Sequence, residues 1–265
     1  MSDETLKQHV VAMQRGARCS ICPLYGCGQG PVMPEVRLGA LLTIIGEAPG
    51  TTEVEEGRTF AGATSEVLTA TLPEVGVSRQ DCTYTNAILC RPPGGHMLDF
   101  AAELNKKHKK EVAKARAERV EPPPLITPQE CCAPRLEQDI ADSESRVLLA
   151  LGSEGLKAAA HAMKLPYAGQ KAAPGTARVT SIKKQHGSPV LAPDGRVLMS
   201  SLHPVFAGYG NNAKYMPVIR EDLKRAGRIA KRGAVIDWYE PEFIIKPSHD
   251  TCINVMERMR TARAL

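Results

Sequence analysis

The stretch that most constrains the fold is residues 41–62, which opens on Leu41-Leu42-Thr43-Ile44-Ile45 and breaks into Gly46-Glu47-Ala48-Pro49-Gly50. Five apolar or β-prone residues in a row read as a strand buried on both faces, the habit of a parallel sheet covered by helices. The strand then stops abruptly. Pro49 fixes one φ angle while Gly46 and Gly50 free two others, so the backbone turns tightly and a ligand can approach it. A glycine-rich loop at the carboxyl end of a parallel strand is where α/β folds bind ligands. Taken alone it is equally an ordinary strand-to-helix loop with an exposed glutamate, so the rest of the chain decides.

The rest repeats the pattern. Residues 5–18 read as a short amphipathic helix, and residues 64–72 as a helix ended by Pro73 and Gly76. Residues 82–89 are β-rich and carry Asn86 into Cys90-Arg91-Pro92-Pro93. Thr127-Pro128-Gln129-Glu130 is a helix start with a Thr cap, Pro at the first position and Glu at the third; that helix bears Cys131, Cys132, Leu136 and Ile140. Residues 146–151 make a third strand, followed by Gly152 and a helix through Met163. Residues 178–201 read as a β-segment and a strand joined around Pro193-Asp194-Gly195. The last strand delivers His203-Pro204, and residues 214–231 form a closing basic helix. Four strands alternating with helices predict an α/β fold, a three-layer α/β/α sandwich around a central four-stranded parallel sheet. The ends of strands one, two and four then bring Gly46-Glu47, Asn86 and His203 to one rim. Asn86 fits a cap, a satisfied core amide or a donor–acceptor pair for a base edge. A histidine beside proline is, without that convergence, ordinary packing.

Composition narrows the function classes. The 265 residues are 43% hydrophobic, enough for one full core and an appendage. Net charge is +5, from 34 Lys and Arg against 29 Asp and Glu, which is compatible with nucleic acid. No run of 18 apolar residues and no signal-peptide pattern occurs, which predicts a cytosolic protein without a membrane partner. Eight cysteines in that compartment point to a metal, a cluster or buried thiols rather than disulfides. Cys19-Ser20-Ile21-Cys22 suits a ligand pair; a redox pair has the same spacing, but the strand-then-helix context of thioredoxin is missing. Residues 101–121 are rich in lysine and end at Pro122-Pro123-Pro124, which reads as a solvated helix or a partly disordered insertion, or more sharply as a DNA-backbone contact.

Together these residues resemble the uracil-DNA glycosylase superfamily, and within it the type-4, iron–sulfur branch. The resemblance rests on Gly46-Glu47-Ala48-Pro49-Gly50, Glu53, Gly57 and Phe60, on Thr85-Asn86 running into Cys90-Arg91-Pro92-Pro93, and on Cys132, Leu149-Ala150-Leu151-Gly152 and His203-Pro204. It implies that Cys19, Cys22, Cys90 and Cys132 hold a structural [4Fe–4S] cluster, with zinc the other centre that four thiolates suit. Cys131 competes with Cys132, and Cys132-Ala133-Pro134-Arg135-Leu136 keeps the family's phasing; Cys27, Cys82 and Cys252 receive no role. The resemblance further implies that Phe60 stacks on uracil, that Asn86 reads its edge and that the backbone from Gly46 through Gly50 lines the pocket. His203 would donate to the uracil carbonyl as charge builds, and Glu47 or Glu53 would orient water and stabilise the sugar cation. The substrate would be single- or double-stranded DNA, acted on by a cytoplasmic monomer of a bacterial or phage-infected cell.

The chain also departs from the pattern at Thr51, Val54 and Val205, and at Gly62-Ala63-Thr64-Ser65. On this reading residues 1–232 form the glycosylase-like domain, with a basic insertion at about 96–126, and residues 233–265 form a tail or linker helix started by Pro247-Ser248. That tail resembles the join before the exonuclease domain in phage-type family-A DNA polymerases. The second expectation is therefore a catalytically weak DNA-binding domain of a replicative polymerase. A cluster-bearing redox protein is a third, without a partner signature.

Overall fold

In the computed structural model, which describes residues 2–167, 169–171, 177–208 and 210–236, strands β1 (Leu42–Gly46), β2 (Cys82–Asn86), β3 (Val147–Leu151), β4 (Val190–Leu191) and β5 (Val197–Ser201) build one sheet in the order β2-β1-β3-β5-β4. The four longer strands are parallel to their neighbours and buried at every position. That is why they read from sequence as continuous apolar runs. The expected four-stranded parallel sheet needs one correction: a fifth strand, β4, pairs antiparallel with β5. The turn at Pro193-Asp194-Gly195 folds the chain back on itself, with the Ala192 N–H donating to the Arg196 carbonyl at 2.8 Å and Asp194 Oδ1 accepting from the Arg196 N–H at 3.0 Å. β2 is also shorter than residues 82–89, because Leu89 turns its carbonyl to the Val32 N–H, 2.8 Å away, and the chain leaves the ladder.

Helices cover both faces: α1 (Asp3–Gln14), α2 (Thr51–Glu56), α3 (Ala63–Thr71), α4 (Met97–Ala117), α5 (Pro128–Ser143), α6 (Gly152–Ala162), α7 (Ile182–Gln185) and α8 (Met216–Lys231). α6 packs with α5 on one face over a core that includes Ile45, Leu136, Ile140, Leu148 and Leu156, while α3 and α8 lie together against the sheet. The start of α5 is capped as its sequence predicts: Glu130 Oε2 accepts from the Thr127 N–H at 2.9 Å and Thr127 Oγ1 from the Glu130 N–H at 3.3 Å. Pro134, inside α5, has no N–H to offer the Glu130 carbonyl four residues back. Arg18 supplies it instead, with Nη2 at 2.7 Å, and its own N–H reaches the Cys131 carbonyl at 2.9 Å. A helix defect thus becomes the docking point for the Cys19–Cys22 segment.

The lysine-rich stretch is one continuous helix, α4. Its inner stripe (Met97, Phe100, Ala101, Leu104, His108, Val112, Ala115) is buried or half-buried and narrow, which is why no wide apolar face shows in the sequence. The chain divides into two compact units, Met1–Val235 and Ile236–Leu265. Beyond Ile236 the second unit, with Cys252 and the Pro247-Ser248 helix start, lies outside the described residues. No described helix is long and apolar enough to cross a membrane.

Candidate active site

The sheet order places β1 between β2 and β3, with the chain crossing to β2 on one side and β3 on the other. This reversal opens a crevice beyond the carboxyl ends of the strands, the usual ligand site of open α/β sheets. Gly46 and Asn86 end β1 and β2 opposite each other. Two further bonds zip the chains past the sheet, from the Ala87 N–H to the Gly46 carbonyl at 2.9 Å and from the Ile88 N–H to the Glu47 carbonyl at 3.0 Å. A Cβ on Gly46 would overlap Asn86 Oδ1 and lie 3.0 Å from Phe60 Cζ. The amide, the ring and the bare backbone therefore meet at one point, and only glycine leaves room for them.

Phe60 is buried and sits at φ 52°, the left-handed region, which for a bulky residue stores strain of about 1–3 kcal/mol. Arg79 holds it there. Its Nη1 donates to the Phe60 carbonyl at 3.1 Å, and its Nη2 donates to the Thr59 carbonyl at 2.8 Å and to Glu35 Oε1 at 2.6 Å. The guanidinium lies 4.3 Å over the Tyr84 ring, whose centroid is 5.4 Å from that of Phe60. None of Arg79, Glu35 and Tyr84 was singled out as a site residue from sequence. Their partners lie as far as 44 residues away in the chain, so no local pattern announces them.

The two glutamates separate. Glu53 sits in the first turn of α2, where its Oε2 accepts from the Gly50 N–H at 3.0 Å and its Oε1 from the Gly62 N–H at 3.2 Å. It ties the loop after β1 to the loop that carries Phe60. Each oxygen keeps a second lone pair for a ligand. Glu53 is also the charge that acts on His203, raising its pKa against the larger effect of burial, which pulls it below the ordinary histidine value. His203 follows β5 and packs its Cβ against Gly152, where an added methyl would lie 3.3 Å away. Glu47 faces other company. Burial pushes its carboxyl pKa up, Glu154 adds to the rise, and Lys157 opposes it. Glu154 and Lys157 pair at 2.6 Å and line a recess of about 290 Å³ between α5 and α6, which Ala87 also borders.

The cysteines gather behind Asn86. Cys19, Cys22, Cys90, Cys131 and Cys132 line one cavity together with Arg18, Leu24 and Ile88. Burial, reinforced by the neighbouring thiols, pushes Cys19 to about 11 and Cys22 to about 12, and Cys90 is raised for the same reasons. Cys132 acts on Cys19, Cys22 and Cys90, and Cys131 acts on Cys19 and Cys22. No three Cys, His, Asp or Glu side chains among the described residues close on a single metal ion. Cys27 is exposed with its Sγ 3.2 Å from the Pro23 carbonyl, and Cys82 is buried at the foot of β2, far from this group in the chain's layout.

Between the thiols and Asn86 lies Arg135, which is fully buried. Its Nη2 donates to the Asn86 carbonyl at 2.7 Å and the Ala87 carbonyl at 3.2 Å, and its Nη1 to Thr85 Oγ1 at 2.8 Å. Asp139 pairs with it and accepts from Thr85 Oγ1 at 2.9 Å. β2 is an edge strand, so these bonds satisfy carbonyls that no neighbouring strand reaches. Arg135 also lowers the pKa of Cys19 and Cys90, and its Nε is buried without a partner among the described residues.

Comparison with known proteins follows the same outline. The family model described as the uracil DNA glycosylase superfamily matches residues 33–224. A type-4 uracil-DNA glycosylase of Thermotoga maritima is 23% identical over 222 residues, covering 84% of this chain and 94% of the relative. A type-4 uracil-DNA glycosylase of Pyrobaculum aerophilum is 33% identical over 140 residues, 53% of this chain and 58% of the relative. One of Sulfurisphaera tokodaii is 24% identical over 228 residues, 86% of this chain and 84% of the relative.

Proposed function

The chain belongs to the uracil DNA glycosylase superfamily, and from that membership we propose that it is a DNA N-glycosylase that hydrolyses the bond between uracil and its deoxyribose. The observation that carries this reading is the meeting of Gly46, Phe60 and Asn86 at the sheet's switch point. A base enclosed there stacks on an aromatic ring held rigid by Arg79, and a side-chain amide reads its polar edge. The base must leave its duplex stack to reach this point, or come from a single strand.

The chemistry asks for two charge effects. As the glycosidic bond breaks, negative charge gathers on the uracil carbonyl and positive charge on the sugar. His203, kept neutral near pH 7 by burial, donates an N–H to the first without giving up a proton. Glu53, whose charge His203 already feels, stabilises the second. Glu47 is the better base for water, because a carboxyl raised towards neutrality takes a proton more readily. Thr51 and Val54 share α2 with Glu53 and take no part in this scheme.

Cys19, Cys22, Cys90 and Cys132 would hold a [4Fe–4S] cluster. Two features fit: the thiols of Cys19, Cys22 and Cys90, which burial keeps from ionising until a cation sits among them, and an Arg135 Nε beside them without a partner among the described residues. When bound, the cluster supplies four thiolate bonds that pin the amino-terminal segment and α5 to the exit of β2. A polymerase-associated binding domain has no observation in its favour.

The test is release of free uracil from duplexes containing U·G and C·G pairs, incubated with cytoplasmic-type buffer at neutral pH. Release from U·G alone is expected. Tight binding without release would leave a binding module and overturn the proposal.

A further inference from the structure

α4 is the part of the described chain that the proposed chemistry does not use. It spans 21 residues, about 31 Å at 1.5 Å per residue. Its root is fixed: Met97 and Phe100 pack with Leu24, Ala87, Ile88, Cys90 and Cys132, so the helix springs from the residues directly after Asn86. From Leu104 onward its inner stripe is Leu104, His108, Val112 and Ala115. At 3.6 residues per turn the line opposite holds Lys106, Lys110, Ala113 and Ala117, flanked by Lys107 and Lys114 on one side and Lys109 and Arg116 on the other. Glu111, the one acid in residues 104–117, stands at the edge of the packed stripe.

These cations are exposed and largely unmatched. Lys114 has a carboxylate near, Glu118 at 3.8 Å. The side chains of Lys106, Lys107, Lys109, Lys110 and Arg116 have no hydrogen bond or ion pair among the described residues. Lys106, Lys110 and Lys114 follow one another at four-residue intervals, where like charges repel and weaken a helix. A polyanion along that face removes the repulsion and gains from release of its own counterions.

We propose that the outer face of α4 is a backbone clamp for the DNA that flanks the flipped nucleotide, binding phosphates without reading sequence. The inference rests on the glycosylase reading for its choice of polyanion. Phosphate contact needs only positive charge, which a row of exposed lysines supplies. A root beside Asn86 gives such a clamp a fixed origin at the pocket.

The experiment replaces Lys106, Lys107, Lys109 and Lys110 together by Gln, which keeps helix propensity at exposed positions. Binding of a uracil-free duplex is measured by fluorescence anisotropy across a salt series, and uracil excision is measured alongside. The slope of log K against log salt is expected to fall by about 0.9 for each lost phosphate contact, with equal weakening on unrelated sequences. A slope equal to that of the wild type overturns the clamp. So does an unchanged slope accompanied by lost binding of polyglutamate, which assigns the helix to an acidic protein. If the wild type fails to excise uracil, the glycosylase reading falls while the slope still decides the clamp.

Discussion

Replacing Arg135 by Met tests the junction between the thiols and the pocket. The substitution keeps the length of the side chain's apolar stem but removes the donors to the Asn86 and Ala87 carbonyls and to Thr85 Oγ1. It also leaves Asp139, itself fully buried, without its nearest cation. Breaking a buried pair from one side costs about 3–5 kcal/mol. Arg15 still donates to Asp139 from Nε at 3.0 Å and Nη2 at 2.8 Å, so the lower end, about 3 kcal/mol, is expected. Urea unfolding near pH 7 should show the unfolding free energy falling by that amount, through a lower midpoint with an unchanged m value. Adding Asp139→Asn to Arg135→Met should recover part of the loss, since the stranded charge is gone. A loss under about 1 kcal/mol would refute the reasoning, because it would mean that the two carbonyls and the carboxylate find water or other partners.

Gly46→Ala should cost about 1–3 kcal/mol by overpacking and reduce excision sharply, as the methyl displaces Asn86 Oδ1 or Phe60; retained kcat/KM on a single-uracil substrate contradicts this. Arg79→Met should free Phe60 from its left-handed backbone and raise KM more than it lowers stability, read from steady-state kinetics beside a melting curve. Cys90→Ser should abolish the brown colour expected for a Cys₄ iron–sulfur cluster; a colourless, zinc-containing wild type overturns the cluster. For His203 the sign follows from its lowered pKa. Below about 6.5 the unfolded chain binds a proton that the folded one refuses, so stability drops as pH falls from 7 through that value. His203→Gln should lose less stability than the wild type over that interval, and equal losses contradict the burial argument.

How much of this was legible in the sequence depends on what each element buries. β1, β2, β3 and β5 are buried at every residue, so their apolar runs stood out. β4 has one buried and one exposed residue and owes its existence to the turn that follows it. α2 buries none, so no periodicity marked it; Glu53, expected there as a site residue, ties the loop after β1 to the loop that carries Phe60. Gly46, Asn86 and His203 stood out because the first two end recognisable strands and the third follows one by two residues. Arg79 and Arg135 did not, because an arginine that gathers distant carbonyls carries the same letter as a solvated one. Only the fold brings carbonyls from distant residues to it.

The most direct test of the central claim is the rate of strand scission after alkali treatment of a single-uracil oligonucleotide, for the anaerobically purified wild type, Asn86→Ala and His203→Ala. The account predicts cleavage by the wild type, loss of uracil-over-cytosine discrimination in Asn86→Ala and loss of turnover in His203→Ala, with all three proteins folded. Cleavage and discrimination unchanged in both variants would contradict it, since the base would then be read and released somewhere other than the point where Gly46, Phe60 and Asn86 meet.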